Sequence, residues 1–367
     1  MRYYIIAGEA SGDLHGSNLI KALRERDTDA EIRCWGGDKM QAAGATVVKH
    51  YRDLAFMGFT EVLKHLGTIL NNIAFCKKDI LEYKPDAIIF IDYPGFNMRI
   101  AEWAKKQGFR TIYYISPTVW AWKENRVKKI KRDVDLMMVI LPFEADFYRK
   151  NWQYEVVYVG HPLIEVIEAE KTKPAQPLSR DKPIIAVLPG SRKQEIVTKL
   201  PVMMALVKDY PQYRFVIAKA PSLPDELYTG IIGDKDVLLV KDQTYNVLKQ
   251  AKAALVTSGT ATLETALFGV PQVVCYRAEP ISFWIAKKIV KVKYISLVNL
   301  IMDKPVVTEL IQNELDEKNL EAELDKILHE GPELQQMKKD YAMLWDKLGS
   351  KSASAEAANA IMNLMGQ

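Results

Sequence analysis

Residues 3–16 read Tyr3-Tyr4-Ile5-Ile6-Ala7-Gly8-Glu9-Ala10-Ser11-Gly12-Asp13-Leu14-His15-Gly16. A short apolar run passes straight into a turn that carries three glycines spaced by four. The run is too short for a signal peptide and reads as a buried strand. The glycines let the backbone turn sharply and come close to a ligand. Leu14–Arg26 then carries a helical pattern, and a helix that starts at such a turn leaves its first N–H groups free. Strand, turn and helix together open a parallel α/β fold. The spacing is not G-x-G-x-x-G, so the turn is no dinucleotide fingerprint. Two readings stand: a tight β-α connection, or a loop presenting Glu9, Ser11, Gly12 and Asp13 to a ligand.

The same rhythm continues along the chain. Ala87–Ile91, Thr111–Ile115, Leu136–Leu141 and Val156–Val159 read as further buried parallel strands. Asn97–Gln107 and Phe143–Lys150 read as helices among them. Residues Glu168–Pro183 break the pattern with charges and three prolines, Pro174, Pro177 and Pro183, and form the best linker candidate. Strand-like runs resume at Ile184–Leu188, Arg214–Ala218, Val237–Val240, Ala254–Thr257 and Gln272–Tyr276. From Lys304 onward the chain reads as helical, with Glu317–His329, Pro332–Leu348 and Ser352–Met365. The expected architecture is α/β, with two doubly wound, Rossmann-like domains facing across a cleft. Residues 1–170 form the first and residues 180–344 the second. Ligands of such sheets bind beyond the carboxyl ends of the strands.

The 367 residues suffice for two cores. A net charge of +4 is too small to argue for nucleic acid. Cys34, Cys76 and Cys275 are far apart, without C-x-x-C or His/Cys clusters, which argues against a zinc site and a disulfide framework. No segment offers enough uninterrupted apolar residues to span a membrane.

Four further motifs follow strand-like runs. In Asp92-Tyr93-Pro94-Gly95-Phe96-Asn97, Asp92 reads either as a general base at a strand end or as a turn and cap partner of Asn97. Ser116-Pro117-Thr118-Val119-Trp120-Ala121-Trp122 precedes Lys123–Arg132, where ten residues hold six Lys or Arg and one Glu. That run is a solvated basic face or a docking surface for phosphate and anionic headgroups. Pro189-Gly190-Ser191-Arg192 suits a phosphate at a helix N-terminus, with Arg192 as a bidentate donor or as half of a structural salt bridge. Ser258-Gly259-Thr260-Ala261-Thr262-Leu263-Glu264 opens a helix that either cradles a diphosphate, with Glu264 accepting ribose hydroxyls, or is simply capped.

Two apolar stretches remain. Phe59, Val62, Leu63, Leu66, Ile69, Leu70 and Ile73 form a helical stripe, of the kind usually found in a core. Phe283 and Trp284 mix with Lys287 and Lys288 in a stretch without acidic residues, which suits either plain packing or an interfacial helix. The five histidines are scattered; His15 closes the first glycine motif and His161 lies at a strand end, neither in a decisive pattern.

Taken in order, these motifs resemble the lipid-A-disaccharide synthase family. The matching stretches are GEASGDLHG, GGDKMQAAG, LAFMGFTEVL, IDYPGFN, YISPTVWAWKENRVKKIKR, LPFEADFY, VGHP, LPGSRKQE, SGTATLE and YRAEPISFWIAKKIVKVKYISLVNL, spread over nearly the whole chain. The resemblance implies a GT-B type fold without a metal or other cofactor, in which the C-terminal helix at about 345–367 crosses back to join the first domain. It implies an inverting transfer from UDP-2,3-diacylglucosamine to 2,3-diacylglucosamine 1-phosphate (lipid X), yielding the β-1′,6-linked disaccharide 1-phosphate and UDP. It implies a cytoplasmic enzyme peripherally attached to the inner membrane, no nucleic-acid partner, and a homodimer with exchanged C-terminal parts as an allowed state. By motif, Asp92 is the candidate base and Arg192 lies beside the diphosphate. Gly190, Ser191, Ser258, Gly259, Thr260, Glu264 and Asn299 fall in nucleotide-binding segments, and Glu9, Ser11, Gly12, Asp13, Asn97 and Ser116 on the acceptor side. Phe59, Val62, Leu63, Leu66, Phe283, Trp284, Lys287 and Lys288 fall where the family is thought to meet the membrane. This chain has Gly95 where many members carry a second Asp, which leaves the base role to Asp92. Competing readings are another UDP-sugar enzyme of the same fold, such as the peptidoglycan N-acetylglucosaminyltransferase or a UDP-GlcNAc epimerase, a nicotinamide-dependent dehydrogenase, and a non-catalytic lipid- or nucleotide-binding protein.

Overall fold

A computed structural model describes residues 1–54, 66–280, 283–284, 288, 292–349 and 352–366. The chain divides into two compact units, Met1–Pro162 with Ser350–Gln367, and Leu163–Gly349. Unit 1 contains strands β1 (Arg2–Ala7), β2 (Glu31–Gly36), β3 (Thr46–His50), β4 (Ala87–Ile91), β5 (Arg110–Tyr114), β6 (Leu136–Val139) and β7 (Val157–Tyr158). Its described helices are α1 (Ala10–Arg24), α2 (Asp38–Ala42), α3 (Leu66–Tyr83), α4 (Pro94–Lys106), α5 (Val127–Asp133) and α6 (Pro142–Trp152), with a last helix from the chain's end. Unit 2 begins with α7 (Leu163–Lys171) and contains β8 (Ile184–Leu188), α8 (Lys193–Ala205), β9 (Arg214–Lys219), α9 (Asp225–Ile232), β10 (Val237–Lys241), α10 (Thr244–Leu248) and β11 (Ala251–Thr257). It continues through α11 (Thr260–Leu267), β12 (Gln272–Tyr276), α12 (Leu297–Met302), β13 (Thr308–Ile311), α13 (Glu317–Leu328) and α14 (Pro332–Leu348). The terminal helix of unit 1 is α15 (Ala353–Met365).

The sheet of unit 1 runs β3-β2-β1-β4-β5-β6-β7 and that of unit 2 runs β10-β9-β8-β11-β12-β13, with every pair parallel. Each order reverses direction once, between β1 and β4 and between β8 and β11. In open α/β sheets, that switch point is where the crevice for a ligand opens, beyond the carboxyl ends of the strands.

Burial on both faces explains why the central strands read as continuous apolar runs. Along β1, Tyr3, Ile5 and Ala7 join a core with Leu19 and Leu23 of α1 and Ala357 and Ile361 of α15. The alternate residues Tyr4 and Ile6 join the opposite core with Ile100 and Ala104 of α4 and Ile130 of α5. Each fully buried Ile or Leu stabilises by roughly 1.5–3 kcal/mol, so the sheet fixes its loops firmly.

Two sequence expectations change here. Thr308–Ile311, inside the stretch read as helical, is a strand paired with β12. Its side chains are half-buried at a sheet edge, so it lacks the apolar run of a central strand. The proline-bearing stretch read as a linker is tied into unit 2. The backbone N–H of Gln176 donates to Asn246 Oδ1 (2.8 Å) and that of Leu178 to Gln250 Oε1 (3.1 Å). β2 and β3 add to the strands that apolar runs reveal.

Candidate active site

In unit 1 the GEASGDLHG turn follows β1 and Asp92 follows β4, so both motifs flank the switch point. Gly8 is required there: a Cβ at this position would lie 2.4 Å from the Tyr93 ring. Asp92 and Tyr93 are both left-handed, at φ 43° and 48°. Such a conformation costs an L-residue roughly 1–2 kcal/mol, so it persists only where its surroundings hold it. Those holds are visible. The Asp92 carbonyl accepts the Tyr113 hydroxyl (2.6 Å) and Asn97 Nδ2 (2.8 Å), while its N–H donates to the Tyr114 carbonyl (3.1 Å). The Asp92 side chain is left for other work. Burial, aided by the charge of nearby Glu9 and opposed by the Tyr93 N–H, raises its carboxyl to about 6.

The neighbouring motif residues divide by role. Glu9 is exposed at the N-cap of α1, and Ser11 is exposed one turn on. Gly12 is buried against Ala7. Asp13, expected on the acceptor side, is instead a cap. Its carboxylate accepts from the backbone N–H groups of Gly37 (2.7 Å), Lys39 (3.1 Å) and Met40 (3.1 Å), at the start of α2. Asn97 is fully buried, its amide nitrogen shared among the carbonyls of Ile6, Ile91 and Asp92. Its role is to hold the Asp92 loop. His15 and His161 are buried and lie near one another; burial lowers them to about 4 and about 3, so both are neutral at physiological pH.

The SPTVWAW loop is tied to α6. Ser116 Oγ lies 2.8 Å from the Tyr148 hydroxyl. The Trp120 indole N–H donates to Glu144 (3.1 Å), which also accepts from the N–H groups of Ile140 (3.1 Å) and Leu141 (2.9 Å). Burial raises Glu144 to about 7, against these three donors. Trp122 stays exposed, with Lys123 Nζ 4.4 Å and Arg126 Cζ 5.3 Å from its ring centroid. Glu144, Tyr113 and Tyr148 were not singled out from sequence. The one available signal is Glu144 at the third position of α6, where glutamate reaches back to cap.

In unit 2 the PGSR turn follows β8 and the SGTATLE turn follows β11, again flanking the switch point. The two helix starts differ. At α8, Glu195 Oε2 accepts from the N–H groups of Ser191 (3.0 Å) and Arg192 (3.3 Å). A Cβ on Gly190, whose φ is +117°, would lie 2.3 Å from that oxygen. The donors that the Gly-Ser turn offers a phosphate are therefore occupied by a carboxylate. Arg192 itself is exposed, and no salt bridge engages it among the described residues. At α11, Gly259 has φ +135° and supplies no side-chain cap; the Thr262 N–H turns back to the Gly259 carbonyl (3.1 Å), which leaves the N–H groups of Thr260 and Ala261 open among the described residues. Thr260 is exposed beside it. Ser258 Oγ donates to the Ile295 carbonyl (2.7 Å), securing the chain that returns past this mouth.

Glu264 and Asn299 are more engaged than the sequence suggests. Glu264 is half-buried and accepts the Tyr245 hydroxyl (2.7 Å); burial raises its carboxyl. Asn299 is buried, with Oδ1 accepting from Val306 N (2.8 Å) and Val307 N (2.9 Å), and Nδ2 donating to the Val307 carbonyl (2.9 Å) and Glu309 (2.9 Å). These bonds make it a brace between α12 and β13. Of the apolar stretches, Phe59, Val62, Leu63 and Lys287 lie outside the described residues, and Leu66 opens α3. Phe283 is half-buried, its ring 6.3 Å from that of Tyr276. Trp284 is 58% exposed with Lys288 Nζ 3.6 Å from its ring centroid. No helix among the described residues is long and apolar enough to cross a membrane.

Two Rossmann-like sheets, each with its motif loops at the carboxyl ends of the strands, define a GT-B-like architecture. Solved structures share it: UDP-GlcNAc 2-epimerase from Neisseria meningitidis bound to UDP-GlcNAc (TM-score 0.68, 12% identity, 100% of this chain and 99% of that one), and the calicheamicin glycosyltransferase CalG4 (TM-score 0.63, 15% identity, 100% and 98%). The sequence is more specific. A family profile described as lipid-A-disaccharide synthetase matches residues 3–363. The lipid-A-disaccharide synthase of Geobacter metallireducens is 37% identical over 376 residues, covering 100% of this chain and 98% of that protein. That of Syntrophus aciditrophicus is 38% identical over 372 residues, covering 98% and 97%. The chain belongs to the lipid-A-disaccharide synthase family, glycosyltransferases of lipid A biosynthesis.

Proposed function

We propose that this chain transfers 2,3-diacylglucosamine from UDP to the primary hydroxyl of lipid X, with inversion. The observation that carries the reading is Asp92: a carboxylate at the switch point of unit 1, its backbone locked and its side chain held only by the Tyr93 N–H among the described residues, raised to about 6. A base with that value is ionised at neutral pH and still able to hold a proton. In the step, Asp92 takes the proton of the acceptor's O6, O6 bonds to C1′ of the donor sugar, and the bond from C1′ to the β-phosphate oxygen breaks. UDP leaves with the electron pair. Arg192 and the open N–H groups of α11 neutralise that diphosphate, a role suited to preorganised donors. Gly190, Ser191, Ser258, Gly259 and Thr260 shape its surroundings, and Glu264 and Asn299 support them from behind. Neither substrate role needs a metal.

Both substrates are acylated, so the enzyme works at the cytoplasmic face of the inner membrane, attached peripherally. The support is a set of exposed apolar side chains: Leu70, Phe75 and Leu81 on α3, and Trp122 and Trp284, each tryptophan beside basic groups. Aromatic rings with lysine and arginine suit an anionic interface. A homodimer is compatible with this reading, and a nucleic-acid partner plays no part in it. The deciding experiment incubates the purified chain with UDP-2,3-diacylglucosamine and lipid X in the presence of EDTA. Disaccharide 1-phosphate and UDP in equal amounts are expected; an unchanged donor overturns the proposal.

A further inference from the structure

Lys199 is a buried amine that forms no ion pair among the described residues. It lies on α8, 2% exposed, two turns beyond the PGSR loop. Long helical side chains run back toward the N-terminus of their helix, and Lys199 does so: its Nζ donates to Thr257 Oγ1. Thr257 is the last residue of β11, directly before Ser258-Gly259 and the open start of α11. The same helix is pinned over the neighbouring strand end, since Thr198 Oγ1 reaches the Arg277 carbonyl at 3.5 Å. Nζ therefore sits at the carboxyl ends of β11 and β12, on the ligand side of the sheet.

An ammonium has three N–H donors, and one neutral hydroxyl is a poor return for burying it. Glu195 is the nearby acid, but its Oε2 is committed to the N–H groups of Ser191 and Arg192. No salt bridge engages Lys199 among the described residues. The groups that bear on it are Glu195 and Arg192 from its own helix region and Cys275 from β12; burial dominates and holds the amine below its usual value. A residue kept only for packing would be an apolar one at lower cost.

We infer that Lys199 is a positioning residue of the diphosphate subsite, whose buried charge is completed by the anionic charge of a nucleoside diphosphate bound at the start of α11. Resting on the proposed nucleotide site, this adds a second cation beside Arg192, one that responds to phosphate and not to base or sugar.

The test compares UDP with uridine, by calorimetry, on the full chain and on Lys199→Met and Thr257→Val. Lys199→Met should weaken UDP by about tenfold or more, the scale of a hydrogen bond to a charged group, and leave uridine binding unchanged. Thr257→Val should weaken UDP less. Equal losses for UDP and uridine, or no loss for either, overturn the role of Lys199 while leaving the nucleotide site standing. Failure of the wild-type chain to bind UDP overturns both.

Discussion

Asp92 is held in a conformation that its side chain does not explain. Two consecutive left-handed residues are secured by Tyr113 and Asn97 through the Asp92 carbonyl, so the loop that carries the carboxylate is fixed by groups other than the carboxylate itself. Strain of this kind, over-determined by its surroundings, is characteristic of functional positions. Two consequences follow from the carboxyl at about 6. Only the ionised form accepts a proton, so kcat/KM of the free enzyme should fall as pH drops through about 6, and Asp92→Asn should cost roughly 10²-fold or more above that pH, with the gap narrowing below it. Stability moves oppositely. A raised carboxyl favours the protonated fold: its contribution is complete below the ordinary 3.8 and lost as pH rises through about 6. Asp92→Asn should therefore melt higher than wild type near neutral pH, on the order of 1 kcal/mol after solvent screening at a half-buried site. An inactive variant that melts lower would mean the loop collapsed, and the base assignment would lose its support. At this scale the sequence was only partly legible. Asp92 stood out because it ends an apolar run. Asp13 and Asn299 have backbone partners that the sequence does not show, because the N–H groups of Gly37 and Val306 belong to other elements; sequence spacing does not tell which backbone a carboxylate or amide will meet.

Among the elements, α6 carries more than its length suggests. Glu144 caps its start through Leu141 N and Ile140 N and fixes Trp120, while Tyr148, one turn further on, meets Ser116. One short helix thus positions the whole tryptophan loop. Glu144→Ala leaves buried donors without acceptors and should cost about 1–3 kcal/mol, read as a lower urea midpoint. The pH dependence separates charge from capping. Burial raises Glu144 from 4.5 to about 7, so its stabilising contribution is complete below the lower value and lost as pH rises through the higher. The melting temperature of wild type should fall across that window by more than that of Glu144→Gln, which has no proton to lose. Parallel curves for the two proteins would show that Glu144 does not titrate there. Element recognition failed for physical reasons too. The central strands announce themselves because both faces are buried. β3 and β13 are edge strands with mostly half-buried side chains, and β2 interrupts its apolar pattern with Arg33, so none presents a continuous run.

At the scale of the molecule, the chain's last helix belongs to its first unit. α15 packs Ala357, Ala358, Ile361 and Met362 against Tyr3, Leu19 and Leu23, and Arg26 Nε donates to Asn359 Oδ1 (2.6 Å). Its alanine-rich sequence has the helical period but no mark of which sheet it will cover; small side chains pack closely against whichever surface is offered, and only the assembled sheet selects it. The expectation that this helix joins the first domain came from family resemblance. Removing residues 350–367 would uncover one face of the unit 1 sheet. Burial at roughly 1.5–3 kcal/mol per large apolar side chain makes the loss about 5 kcal/mol, comparable to the whole stability of an ordinary domain. Unit 2 loses none of its own core in this truncation, because its sheet, α8 and α11 lie within Leu163–Gly349. The shortened chain should therefore unfold in two steps, with an early transition from unit 1 and a later one near that of the full protein. It should still bind UDP, through a site built wholly in unit 2, while transferring no sugar. A single transition with both properties lost would show that the units depend on each other for folding, and the division of labour drawn between Asp92 and the strand ends of unit 2 would have to be rebuilt around one cooperative body.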